Sequence, residues 1–181
     1  MSLQLFSGRL VFVDTRWLTK DELATWVRVV AVLELLPNAL DAQLRRDADL
    51  TNFDYYVLAM LSEAEGRTLR MTALAAQTNA ALARLSHVVR RLEERGLVER
   101  VPCPEDRRAT NARLTQAGMA KVVEAAPGHV ANVREHVIDA LTPEQVQQLG
   151  DIADALLGRL DPGGRMTSMY RRHDDEGEAG A

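Results

Sequence analysis

Between positions 84 and 91 the chain carries Arg84, Ser86, His87, Arg90 and Arg91, interleaved with Leu85, Val88 and Val89, and Leu92 follows. The leucines and valines recur three to four apart, which makes one buried stripe of a helix. The five polar residues are then left to the other face. A row of hydrogen-bond donors on a helix suits the acceptor-rich base edges of a duplex major groove. Arg84, Ser86 and His87 lie in the N-terminal half, the part that reaches base edges in helix-turn-helix units. Arg90 and Arg91 lie further along, where phosphate is the nearer acceptor. The same face would also serve as an ordinary solvated surface, so the flanking elements decide between the two.

Those elements favour a reading unit. The helix is expected over residues 81–95, with Gly96 as its left-handed cap. A shorter helix through Leu74, Ala75 and Ala76 precedes it, with Thr72 as the expected N-cap. Thr78 and Asn79 suit the tight turn between the two. After Gly96, residues 97–101 have strand character, and residues 111–115 read as the return strand. The loop between them holds Pro102, Cys103, Pro104, Glu105, Asp106, Arg107 and Arg108. A projecting arginine there suits a narrow minor groove, where negative potential is concentrated. Charge agrees: residues 66–114 carry ten Lys/Arg against five Asp/Glu, while the rest carries twelve against twenty-one. A basic segment in a chain of net charge −4 is a footprint for a polyanion.

The stretch resembles the MarR family of bacterial transcriptional regulators. The likeness rests on Leu74-Ala75, Leu85-Ser86, Leu92-Glu93 and Arg95-Gly96-Leu97-Val98. It continues through Asp106-Arg107-Arg108-Ala109 and Leu114-Thr115-Gln116-Ala117-Gly118, and with its flanks spans about residues 17–160. The resemblance implies a mainly α fold with a small β-wing. A winged helix-turn-helix would be joined to a helical dimerisation region formed by N- and C-terminal helices. It also implies a homodimer on a pseudo-palindromic operator in double-stranded DNA. Arg108 would enter the minor groove, and Asp106 would orient it through an ion pair. Ala112 and His87 depart from the family pattern, which more often has valine and arginine there. Many members respond to small phenolic or anionic ligands held between the dimer helices and the DNA unit. Trp26, Tyr55, Tyr56 and His129 are the candidates here, each with the plainer reading of a core side chain.

The remaining chain is scaffolding. Residues 1–16 form an arm, either a short strand or an ordered segment. Thr19 and Glu22 make a capping box. The helix after them carries Leu23, Trp26, Val30, Leu33, Leu40 and Leu44, a packing seam that Pro37 is expected to bend or break. Thr51 and Asp54 start the next helix. Residues 17–47 and 116–161 are assigned to dimerisation, and residues 50–115 to DNA reading. Pro127-Gly128 is expected to kink the helix after Gly118. Thr142, Pro143 and Gln145 start the last helix. Residues 162–181 read as a disordered tail.

Composition bounds the rest. At 181 residues with 46% hydrophobic and 4% aromatic side chains, one helix-rich domain is expected. One cysteine excludes an intrachain disulfide and favours a reducing, cytoplasmic setting. No membrane span, catalytic constellation, metal site or cofactor is expected. His87, His129, His136 and His173 lack metal-ligand spacing. Two other functions stay open: DNA binding controlled by Cys103 oxidation, and a winged-helix module that binds protein and never DNA.

Overall fold

The computed structural model describes residues 2–6, 9–13, 15–104 and 106–172; for residues 2–13 and Arg107 only the backbone is described. Glu105, the Arg107 side chain and residues 173–181, with His173, therefore lie outside the described residues. The chain divides into two units, Met1–Asn38 and Ala39–Ala181.

In the first unit, β1 (Ser2–Phe6) and β2 (Arg9–Val13) pair antiparallel from Ser2↔Val13 to Phe6↔Arg9. This gives the N-terminal arm a hairpin form. Helix α1 (Lys20–Ala48) starts in this unit and ends in the second. Its first turn is held as the capping box requires: the Thr19 amide donates to Glu22 Oε2 at 2.7 Å, and the Glu22 amide donates to Thr19 Oγ1 at 3.2 Å. Its length and mean hydropathy of 1.5 would let it cross a membrane by composition alone, which corrects the expectation that no stretch would.

The second unit holds the core. Helices α2 (Asn52–Glu63), α3 (Met71–Gln77), α4 (Leu82–Glu94) and α5 (Gln116–Val133) pack around Leu44, Leu58, Leu61, Leu74, Leu85 and Leu92. A three-stranded antiparallel sheet adjoins them, in the order β3 (Thr68–Arg70), β5 (Asp106–Leu114), β4 (Val98–Cys103). Strand β3 is too short for its alternation to stand out in the sequence. A 3-10 turn over Glu65–Arg67 leads into it, with both Gly66 (φ 57°) and Arg67 (φ 53°) left-handed. Gly118 is required by close approach: a Cβ there would lie 2.1 Å from the Leu97 carbonyl oxygen. A π-helical turn (Arg134–Ile138) follows α5, then α6 (Pro143–Leu160) and the short α7 (Thr167–Tyr170).

Of the two outcomes expected at Pro37, a break does not occur: α1 runs through it, as α5 runs through Pro127. The carbonyls they orphan belong to Leu33 and Val123, residues that are 62% and 60% exposed, so water can satisfy them. Three expectations change. Thr72 caps nothing, because α3 starts at Met71 directly after β3, with Arg70 as N-cap. The wing strands extend further than the prolines implied, β4 to Cys103 and β5 from Asp106. Pro102 is accommodated because β4 is an edge strand. Residues 162–172 also continue the structure instead of trailing as a tail. Asp161 accepts from the amides of Arg165 and Met166, both at 2.9 Å, and Arg172 pairs with Glu63.

Candidate nucleic-acid interface

Helix α4 forms where the sequence places it, with Ala81 as N-cap and Gly96 left-handed (φ 70°) just past its end. Leu85, Val88, Val89 and Leu92 are all buried, and this stripe fixes which residues point outward. Arg84 lies over the Phe53 ring of α2, its guanidinium carbon 4.4 Å from the centroid. That cation–π contact steadies an otherwise long and mobile side chain. His87 Nδ1 lies 3.0 Å from Arg90 Nη2. Arginine can only donate, so the neutral ring must carry its proton on Nε2. His87 thereby presents an N–H suited to a base acceptor such as guanine O6 or N7.

Arg91 has a different task. Its guanidinium pairs with Asp54, which is only 2% exposed. Asp54 also accepts from the Thr51 amide at 3.0 Å in the capping box of α2. Arg91 therefore partners a buried carboxylate and ties α4 to α2, while its side chain stays 41% exposed.

The wing meets α4 across an open groove of about 270 Å³. Ser86 and Leu82 line it from α4, Arg70 from the end of β3, Thr72 from the start of α3, and Arg108 and Thr110 from β5. Arg108 is exposed. Asp106 does not hold it through an ion pair, as the resemblance implied. Asp106 Oδ2 accepts from Arg70 Nη2 at 2.6 Å, and Oδ1 accepts from the Arg108 amide at 3.0 Å. The carboxylate thus ties the start of β5 to the end of β3, just ahead of α3, and fixes Arg108 through its main chain. Arg70 was missed in the sequence because nothing local marks it as a partner of a residue 36 positions away.

Other basic residues nearby are occupied within the fold. Arg100 pairs with Glu93 at 2.6 Å and Arg113 with Glu99 at 2.7 Å. Hydrogen bonds from these arginines hold both glutamates below the usual carboxylate range. Arg95 reaches Asp49 at 3.2 Å. Among the described side chains of the predicted set, Arg84, His87, Arg90 and Arg108 are exposed, and the half-buried Ser86 lines the groove.

The effector candidates separate. The Tyr55 and His129 rings are in contact, with centroids 4.6 Å apart and planes tilted by 47°. Tyr56 turns elsewhere and donates to the Gln77 carbonyl at 2.9 Å. Trp26, in the first unit, is 53% exposed. Sequence reading missed Gln43 and Asn132. Gln43 Oε1, His129 Nδ1 and Asn132 Oδ1 are all buried without a hydrogen-bond partner. Burial lowers the His129 pKa. Cys103 is 7% exposed, at the end of β4, not in an open loop as expected. A thiol shielded in this way is a poor target for an oxidant. Among the described residues no His/Cys/Asp/Glu cluster could hold a metal.

Comparison with known proteins agrees with the geometry. The family model for the MarR family matches residues 48–109. The crystal structure of Sco3205, a MarR family transcriptional regulator from Streptomyces coelicolor in complex with DNA, is 43% identical. The match covers 81% of this chain and 92% of that one, with a TM-score of 0.78. AbsC, a MarR family transcriptional regulator from the same organism, is 40% identical over 81% of this chain and 98% of that one, with a TM-score of 0.77. The HTH-type transcriptional repressor IacR of Pseudomonas putida is 30% identical over 45% of this chain and 48% of its own length. The chain spans about half the length of the first curated relatives it matches. With two relatives at 40% identity or more aligned over most of both chains, the chain belongs to the MarR family of transcriptional regulators.

Proposed function

We propose that the protein is a homodimeric, sequence-specific DNA-binding regulator acting as a repressor in the cytoplasm. The groove bordered by Ser86 and Arg108 carries this reading, because it sets the outward face of α4 and the wing arginine against one surface. In a dimer, two α4 helices enter successive major grooves of a pseudo-palindrome. Arg84, Ser86 and His87 meet base edges, Arg90 meets phosphate, and Arg108 enters the adjacent minor groove. Sco3205 was crystallised with DNA and IacR is named a repressor, which supports both the target and the sign. For the dimer, support comes from α6, in which none of the described residues is buried. Leu149, Ile152, Leu156 and Leu160 stay 44–74% exposed in the single chain. The apolar surface of α1 fits a protein partner better than a bilayer. Arg28 and Glu34 lie within it, and an Arg at a membrane centre costs about 2.5–3.5 kcal/mol on insertion scales.

A small phenolic effector suits Tyr55, His129, Gln43 and Asn132: the Tyr55–His129 ring contact offers an aromatic surface, and the unpartnered oxygens of Gln43 and Asn132 can accept from a hydroxyl. Binding there would shift the population of α4 spacings in the dimer.

The test is a titration onto the DNA flanking the protein's own gene, at two salt concentrations. Tight, selective binding that weakens with salt is expected. Arg108→Ala is expected to weaken binding to all sites while leaving the thermal transition unchanged. Undiminished affinity at moderate salt would overturn the wing assignment.

A further inference from the structure

Beyond α6 the chain doubles back onto the reading unit. Asp161 fixes the return by accepting from the Arg165 and Met166 amides, and the Tyr170 hydroxyl donates to it at 3.4 Å. Helix α7 then packs on α3, and Arg172 pairs with Glu63 at the end of α2. Residues 161–172 thus form a strap with its own anchors.

The strap carries Arg165 to the helix-turn-helix. An open groove of about 440 Å³ is lined by Thr72, Ala75 and Ala76 of α3, by the turn at Asn79, by Leu82 of α4, and by Arg165. Thr72 and Leu82 also line the groove that holds Ser86 and Arg108. The two grooves meet at those residues, so Arg165 extends the surface that carries the wing arginine. Its side chain is 68% exposed, and its nearest carboxylate, Asp161, stands at 4.0 Å. Alanines make up much of the groove wall, which lets a bulky backbone approach closely.

We propose that Arg165 is an additional phosphate contact, delivered to the DNA by the C-terminal strap. The inference rests on the DNA-binding reading above. A DNA strand leaving the α4 surface would pass the groove, and the strap would add one positive charge per protomer to the footprint. Serving phosphate, the contact would raise affinity for every sequence and select none.

The test uses the full chain and a mixed-sequence duplex of about 30 base pairs, with affinity followed by fluorescence anisotropy from ~50 to ~200 mM salt. Each phosphate contact contributes roughly 0.9 to the slope of log affinity against log salt. Arg165→Gln is expected to lower the slope by about one per bound protomer, and Arg165→Lys to restore it. The ratio of operator to mixed-sequence affinity should not change. A slope unchanged by Arg165→Gln, or tighter binding by that variant, overturns the proposal. Arg108→Ala separates the two readings. If it weakens binding while Arg165→Gln does not, only the strap contact fails. If wild-type protein shows no salt-dependent binding, both fail.

Discussion

At the scale of single residues, type alone did not reveal role. Arg90 and Arg91 were both read as phosphate contacts, yet Arg91 is paired with a carboxylate that α2 buries. Removing it would leave the buried Asp54 carboxyl without its guanidinium partner, which costs about 1–3 kcal/mol or more. Arg91→Ala is therefore expected to lower the urea midpoint clearly, whereas Arg90→Ala, on an exposed pair with Glu94, should barely move it. Equal midpoints for the two variants would show that the buried pairing is not what holds Arg91. His129 makes a second residue-scale case. Burial lowers its folded pKa below the ordinary 6.5, so the unfolded chain takes up the proton first as the pH falls. Stability from this residue is complete above about pH 6.5 and declines below it, until the folded ring protonates too. Urea midpoints at pH 7.5 and 5.5 should differ, and His129→Phe should shrink the difference. The shifted carboxylates titrate lower and leave that window clear.

At the scale of elements, what the sequence disclosed depended on how local the cause was. Helix α4 was legible almost to the residue, because an apolar stripe, a turn and a glycine all lie within its own span. The capping boxes at Thr19, Thr51 and Thr142 were legible for the same reason: donor and acceptor stand three residues apart. Strand β3 was not, since three residues show no periodicity and their partner lies over forty positions on. Pro37 left bend and break both open in the sequence, because proline's cost depends on whether its orphaned carbonyl is wet, a property of packing. The strap was hidden by its composition. Charged and glycine-bearing segments usually fail to bury enough to order, and here an aspartate at a helix end supplies the anchor instead. In the candidate site, the donors on α4 and the wing arginine were readable. Their supports, Phe53, Arg70 and Asp54, come from other elements and were not.

At the scale of the whole molecule, charge and apolar surface divide the labour. The basic stretch around α4 and the wing sits in a chain that is otherwise acidic, so a polyanion is steered to one surface and repelled from the rest. The apolar surface is left elsewhere, on α6 and on the first turns of α1. An 18-residue helix with no buried side chain gains little packing to offset the entropy of its own ordering, which is why the proposed dimer seam is placed on α6. Ile152 is 57% exposed in the single chain, so Ile152→Glu should leave the core intact and act only on association. Sedimentation at micromolar concentration should give wild-type protein twice the 20.1 kDa chain mass, and the variant the chain mass itself. The variant should also lose most of its affinity for a two-half-site operator, because a monomer presents one α4 and forfeits the gain of engaging both half-sites together. A variant that keeps the double mass would place the seam away from α6, and the scaffold would then have to dimerise through α1 alone.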